Sequence, residues 1–176
     1  VHAEAMAEDD TNLRDRDLKL FIRVGSDYQN NYYEYEVPLT LTPAGIYSNN
    51  TTADRKAVWP VENKIELPLD LLTKLKKSSN EEKNRSHSSV SNLTEYSTLD
   101  PANPNNRVSI IGNPSLGDVE VFMIGIRNAS REIKSAEVWV NELLLTDFDE
   151  QGGVAARASL DIALSDFITL NAAGRI

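Results

Sequence analysis

Residues 17–25 read DLKLFIRVG and residues 32–42 read YYEYEVPLTLT, and these two stretches decide the fold class. In both, large apolar residues alternate with charged or polar ones, which is the period of a strand with one buried face. A turn-rich sequence, GSDYQNN, separates them. Pro38 either ends the second stretch or places it at a sheet edge, because proline cannot donate a ladder hydrogen bond. The two stretches therefore predict β-strands.

Three further stretches towards the C-terminus also predict strands. Residues 107–114 (RVSIIGNP) predict a strand followed by a turn. Residues 119–127 (VEVFMIGIR) form a near-continuous apolar run, which predicts a central strand buried on both faces. Residues 135–146 (SAEVWVNELLLT) alternate again. One short helix is predicted over residues 67–77, where leucines recur at helical spacing before a basic end. The pattern predicts an all-β fold: an antiparallel, jelly-roll-like β-sandwich with one short helix.

Composition divides the chain into segments. Residues 1–17 are rich in Asp and Glu and predict a solvated, acidic lead segment. Residues 18–150 hold the predicted sandwich domain. Within it, residues 78–106 are rich in Ser, Asn, Glu and Lys, which predicts a mobile loop. Residues 154–176 form a separate predicted β-hairpin.

The predicted hairpin has a pattern of its own. Residues 154–176 read VAARASLDIALSDFITLNAAGRI, with two strict alternating repeats, many small residues and a short turn at residues 165–167. Such a hairpin resembles the start of a transmembrane β-barrel, and the alternative is an amphipathic hairpin of a soluble sheet. A lone two-stranded ribbon is only marginally stable in water. We therefore expect its partner strands to lie elsewhere in a longer protein, which the start at Val1 also fits.

Composition also restricts the function. The formal net charge of −9 makes nucleic acid a poor partner. The chain has no cysteine, which removes disulfides and thiolate chemistry. The two histidines, His2 and His87, lie in a terminal segment and a Ser-rich loop, without the strained turn that presents a catalytic serine. We therefore predict no enzymatic activity, no cofactor and no catalytic residue.

Two sets of residues are candidate binding sites. Asp147, Asp149 and Glu150 offer oxygen ligands for Ca²⁺, although the spacing does not match the twelve-residue calcium loop and a turn-forming acidic run explains it as well. A second set, of aromatic residues, could anchor a sugar or a partner, or could belong to a core or interface. Its members are Trp59, Tyr32 and Tyr33.

Four blocks of the chain resemble one family. Residues 18–47, 57–77, 109–128 and 136–167 are similar to segments of the SprA, or Sov, family of very large Bacteroidetes outer-membrane proteins. The blocks begin LKLFIRVGSDYQNNYYEYEV, AVWPVENKIELP, SIIGNPSLGDVEVFMIGIRN and AEVWVNELLLTDFDEQGG. The resemblance implies the outer-membrane translocon of the type IX secretion system, which exports folded proteins and is tied to gliding motility.

The resemblance also implies partners and a location. The implied partners are the rest of the translocon barrel, a cargo-collecting outer-membrane barrel protein, a periplasmic plug, folding factors and the secreted cargo. The implied location is the outer membrane, entered through the C-terminal hairpin, with the sandwich facing the periplasm or the cell surface. The alternative function is a carbohydrate-binding or adhesive jelly-roll module on the cell surface.

Overall fold

A computed structural model describes residues 1–6, 12–144, 146, 158–164 and 168–174. By internal contacts the chain divides into two compact units, Val1–Asn141 and Glu142–Ile176. The elements, in chain order, are β1 (His2–Ala5), β2 (Leu18–Gly25), β3 (Tyr32–Pro38), α1 (Thr52–Val58), a 3₁₀ turn (Val61–Asn63), α2 (Leu69–Lys83), β4 (Tyr96–Leu99), β5 (Arg107–Ile111), β6 (Val121–Asn128), β7 (Ala136–Trp139), β8 (Ala158–Leu164) and β9 (Ile168–Gly174).

The first unit is built on a five-stranded antiparallel sheet in the order β4-β5-β3-β2-β6. The central strand, β3, is buried along nearly its whole length and ends at Pro38. In the ladder Ile22 lies opposite both Tyr35 and Ile124. The alternating apolar residues of 17–25 and 32–42 therefore lie on one face of this sheet, as predicted.

A second layer covers the apolar face of the sheet. It consists of the two-stranded ribbon β1–β7 and the helix α2. Beneath α2, Leu72 and Leu75 pack with Tyr33, Tyr35 and residues of β5. Beneath the ribbon a second cluster contains Ala3, Leu18, Leu20, Ile22 and Leu39. The predicted all-β, antiparallel sandwich class is confirmed, with the predicted helix completing the second layer.

The position of β6 corrects one prediction. The apolar run over residues 119–127 predicted a central strand, but β6 is an edge strand of the sheet, and Ile126 is 40% exposed. Phe122 and Ile124 are only partly buried, against the cluster beneath the ribbon. An apolar run indicates that a strand is suited to burial. Which strands flank it in the sheet depends on segments far away in sequence, and a local pattern does not contain that information.

Three segments contain more regular structure than predicted. The lead segment 1–17 includes β1, whose Ala3 is fully buried, because β1 pairs with β7 over the core. The segment 78–106 contains the end of α2 and the strand β4, which pairs with β5. A second helix, α1, begins where the hydroxyl of Thr51 accepts a hydrogen bond from the Asp54 N–H at 3.1 Å.

The second unit contains the antiparallel pair β8–β9. Its register runs from Ala158 opposite Gly174 to Leu164 opposite Ile168, so the pairing of the two predicted strands is confirmed. The predicted turn at residues 165–167 lies outside the described residues. Among the helices that the structure describes, none is both long and apolar enough to cross a bilayer.

Candidate functional site

The face of the five-stranded sheet opposite the core is lined by charged side chains. Strand alternation puts them there, since their neighbours along each strand point into the core. We call this surface the charged face, and its residues are Lys19, Arg23, Tyr32, Glu34, Glu36, Glu95, Arg107 and Arg127. The register of β2 and β3 sets Arg23 directly opposite Glu34. The strands themselves therefore bring opposite charges together.

Glu34 is a buried carboxylate at the centre of this face, only 3% exposed. It accepts a hydrogen bond from Arg23 Nε at 2.6 Å and, at 3.0 Å each, from Arg127 Nη1 and Nη2. Burial raises the pKa of Glu34, but the hydrogen bonds from Arg127 and Arg23 outweigh it and hold that pKa below its usual value. Glu34 is therefore ionised at neutral pH in the folded protein.

Glu36 is the second buried carboxylate, also 3% exposed. It accepts a hydrogen bond from Lys19 Nζ at 2.8 Å and another from Arg127 Nη1. Arg127 belongs to β6 and Glu36 to β3, so the Arg127 side chain crosses β2 to reach the central strand. One guanidinium thus connects β6 to β3 through charge-assisted hydrogen bonds that span β2.

Aromatic rings support the two arginines. The Arg23 guanidinium lies 4.3 Å from the Tyr32 ring centre, and the Arg127 guanidinium lies 4.8 Å from that of Phe21. Gly125 lies opposite Phe21 in the ladder, and a Cβ there would come within 2.3 Å of the Phe21 Cζ. Any larger residue at this position would force the Phe21 ring to move, because the ring lies directly against the backbone of β6.

Chemically, the charged face is an ion-pair network. Its cations are Lys19, Arg23, Arg107 and Arg127, and its carboxylates are Glu34, Glu36 and Glu95, so four positive charges meet three negative ones. At the rim Arg107 pairs with Glu95, and both are partly exposed. Both buried carboxylates are neutralised by fixed cations, an arrangement that holds strands in register.

The predicted aromatic anchors are not brought together. Tyr32 lies on the charged face, whereas Tyr33 points into the core and donates its hydroxyl hydrogen to the Pro114 carbonyl oxygen at 3.0 Å. Trp59 follows α1, is 39% exposed, and its ring centre lies 6.0 Å from that of His2. Their role as ligand anchors stays a prediction, although consecutive strand residues on opposite faces cannot share one platform.

The predicted calcium ligands Asp147, Asp149 and Glu150 lie outside the described residues. Within the part of the chain that the structure describes, no group of three or more His, Asp or Glu side chains could hold a metal ion. The charged face was not among the predicted sites. The sequence pattern that could have predicted this face is the alternation of Glu34 and Glu36 with apolar residues in one strand, and of Lys19 and Arg23 with apolar residues in the neighbouring strand.

The whole chain matches the model of a known protein family. The model of the SprA_N family, described as motility related/secretion protein, matches residues 1–176. No curated protein matches the chain significantly.

Proposed function

The chain belongs to the SprA_N family of motility related/secretion proteins, and from this premise we propose that it is a non-catalytic structural segment of the type IX outer-membrane translocon. In that role it contributes to the export of folded proteins and to gliding motility. The observation that carries the structural role is the charged face, where Arg127 joins β6 to the central strand β3. A network of this kind makes a sheet rigid, which suits a wall or cap beside a path for cargo.

The second unit supports the proposed location. β8 and β9 form a two-stranded antiparallel ribbon, and such a ribbon is only marginally stable in water by itself. The sequence 154–176 alternates as the strands of outer-membrane barrels do. We propose that this hairpin joins further strands of the translocon barrel and so holds the chain at the outer membrane.

The proposed partners come from the family resemblance. They are the rest of the barrel, a cargo-collecting outer-membrane barrel protein, a periplasmic plug, folding factors and the secreted cargo. The formal net charge of −9 argues against nucleic acid as a partner.

Secretion in a gliding bacterium that carries this protein tests the proposal. We would replace Glu34 and Glu36 together by alanine in the chromosomal gene and measure secreted cargo and colony spreading. Loss of both is expected, because the sheet loses its central ion pairs. The matched control removes the exposed α2 pair of Lys74 and Asp70, also by alanine, and should leave both readouts unchanged.

Two results would contradict the proposal. One is normal secretion and spreading after residues 1–176 are deleted in frame while the remaining protein still reaches the outer membrane. The other is saturable glycan binding by the purified chain that is lost in Trp59→Ala, which would favour the carbohydrate-binding alternative.

A further inference from the structure

The edge strand β6 lacks the features that normally protect a sheet edge. Six consecutive uncharged residues, 121–126 (VFMIGI), occupy it, with Glu120 before them and Arg127 after them. Natural edge strands are usually short or interrupted by charge or proline, since an open edge invites another strand to pair. The opposite edge strand, β4, follows that rule with four residues between Glu95 and Asp100. β6, with eight residues, is twice as long as β4, and no charge or proline interrupts its first six residues.

The backbone of β6 offers a regular row of outward groups. The Ala129 N–H donates to the Asp17 carbonyl oxygen at 2.7 Å, which fixes the phase of the β2–β6 ladder. In an antiparallel ladder alternate residues hydrogen-bond to the same neighbour. The backbone hydrogen bonds to β2 are therefore made by residues 121, 123, 125 and 127. The backbone N–H and C=O groups of the residues between them point away from β2, and these residues are Phe122, Ile124 and Ile126. No strand in the described part of the chain pairs with that side.

The same residues also carry an apolar stripe. Phe122 and Ile124 pack at the margin of the core beneath the ribbon, and Ile126 is 40% exposed. On the charged face Lys19, Arg23 and Arg127 outnumber Glu34 and Glu36 by three to two across β2, β3 and β6. The Arg127 side chain remains 35% exposed. A strand added beside β6 would thus meet apolar side chains on one face and excess positive charge on the other.

We propose that β6 is the acceptor edge for an additional strand contributed by the same translocon polypeptide, which rests on the function proposed above. The accepted segment is extended, its apolar residues alternate with polar ones, and one carboxylate on its polar side faces Arg127. Its pairing makes β6 an interior strand, which is the environment that the apolar run of β6 suits.

The size of the edge favours a tethered strand over a second copy of the chain. An eight-residue strand offers much less contact than the roughly 1,200–2,000 Å² that stable complexes between separate proteins bury. A segment in the same polypeptide has an effective concentration on the order of millimolar, which compensates for weak intrinsic affinity.

Amide hydrogen exchange tests the proposal at single residues. In the 176-residue chain the amides of Phe122, Ile124 and Ile126 should exchange fast, while those of Met123 and Gly125 are protected by β2. In the full-length translocon protein the three outward amides should exchange about 100-fold more slowly. Equal rates for these three amides in the two proteins would overturn the proposal.

Proline substitution tests the proposed hydrogen bonds on the outer side of β6 without disturbing the fold of the 176-residue chain. Ile126→Pro removes an outward N–H, so the purified 176-residue chain should keep its fold, while Phe122 and Ile124 lose their protection in the full-length protein. Ile126→Ala is the matched control, because it removes the side chain and keeps the N–H, and protection should persist. Protection that survives Ile126→Pro would contradict the pairing.

Photo-crosslinking identifies the source of the strand. A photoreactive residue at position 126 of the full-length protein should join β6 to a peptide of the same polypeptide. A crosslink to a second copy or to another protein would refute the tethered strand. The proposed function is judged separately by secretion and spreading. Intact secretion with unprotected outward amides would therefore reject this inference alone.

Discussion

Arg127 is the residue on which the charged face depends. Its guanidinium donates to Glu34 at 3.0–3.1 Å and also to Glu36, and both carboxylates are buried. We expect Arg127→Ala to lower the free energy of unfolding by about 2 kcal/mol, because two buried anions lose a cation. The loss stays below that for a fully buried pair, since Arg127 itself is one-third exposed. Urea denaturation followed by circular dichroism measures it.

An exposed ion pair provides the control for Arg127. Lys74 Nζ lies 2.6 Å from Asp70 Oδ2 on α2, and both side chains are largely exposed. Lys74→Ala should cost much less than Arg127→Ala, because solvent screens a surface pair one helical turn apart. Equal losses for the two variants would mean that the charged face is no more important than an ordinary surface contact.

The buried ion pairs also make stability depend on pH through Glu34. Burial raises its pKa, but the hydrogen bonds from Arg127 and Arg23 bring the pKa below the usual value of 4.5. Because the folded-state pKa is depressed, the stabilising contribution is complete above the unfolded-state value and is lost as pH falls through the folded-state pKa.

This dependence predicts the pH profile of one variant. The difference in unfolding free energy between the wild type and Glu34→Gln should be largest near neutral pH and should shrink below about pH 4.5. Denaturant titrations between about pH 7 and pH 3 measure it. A constant difference across that range would show that Glu34 gains nothing from being ionised.

At the scale of elements, local alternation predicts strands well. β2, β3 and β5 lie where their apolar periodicity placed them, and α2 lies where leucines recur at helical spacing. The alternation also assigns Glu34 and Glu36 to the face opposite the core. These features depend only on neighbours along the chain, and a single sequence contains that information.

Strand order and buried charge depend on distant residues. Glu34 is buried because Arg127, 93 residues away, covers it. β1 is too short and too rich in small residues to be recognised, and it exists because it pairs with β7 more than 130 residues later. The same reason explains β6, whose composition predicts an interior strand while the order of the sheet puts it at an edge.

The buried face of α2 contains one polar group that costs stability. Ser79 is 1% exposed, and its hydroxyl has no hydrogen-bond partner among the described residues. Ser79→Ala should raise the free energy of unfolding by about 1 kcal/mol, because it removes an unsatisfied buried hydroxyl. Ser78→Ala gains the same helix propensity at a half-buried position, so the difference between the two variants isolates the hydroxyl. Equal effects would mean that the Ser79 hydroxyl finds a partner.

Over the whole molecule, charge is unevenly distributed. The chain carries a formal net charge of −9, yet the charged face has one more cation than carboxylates. The excess of Asp and Glu residues therefore lies outside the charged face. The protein is acidic overall, but this one surface is rich in arginine and lysine. The single excess cation suits one carboxylate of a neighbouring segment, whereas the field of the whole chain repels polyanions such as a phosphate backbone.

The division into two units gives a prediction for the whole chain. Val1–Asn141 contains the five-stranded sheet and both apolar clusters. A chain that ends at Asn141 should therefore melt within about 4 °C of the 176-residue chain, the shift that roughly 1 kcal/mol produces. Calorimetry measures this, with Leu72→Ala as the control that lowers the melting temperature by removing a fully buried side chain.

The C-terminal hairpin should instead govern solubility. β8–β9 is a two-stranded ribbon with the alternation of a membrane-facing hairpin, so the 176-residue chain should need detergent to stay monodisperse at high concentration, and the chain ending at Asn141 should not. Size-exclusion chromatography with and without detergent compares them. If removal of Glu142–Ile176 lowered the melting temperature by more than about 10 °C, the hairpin would stabilise the core, and the proposed membrane attachment would be contradicted.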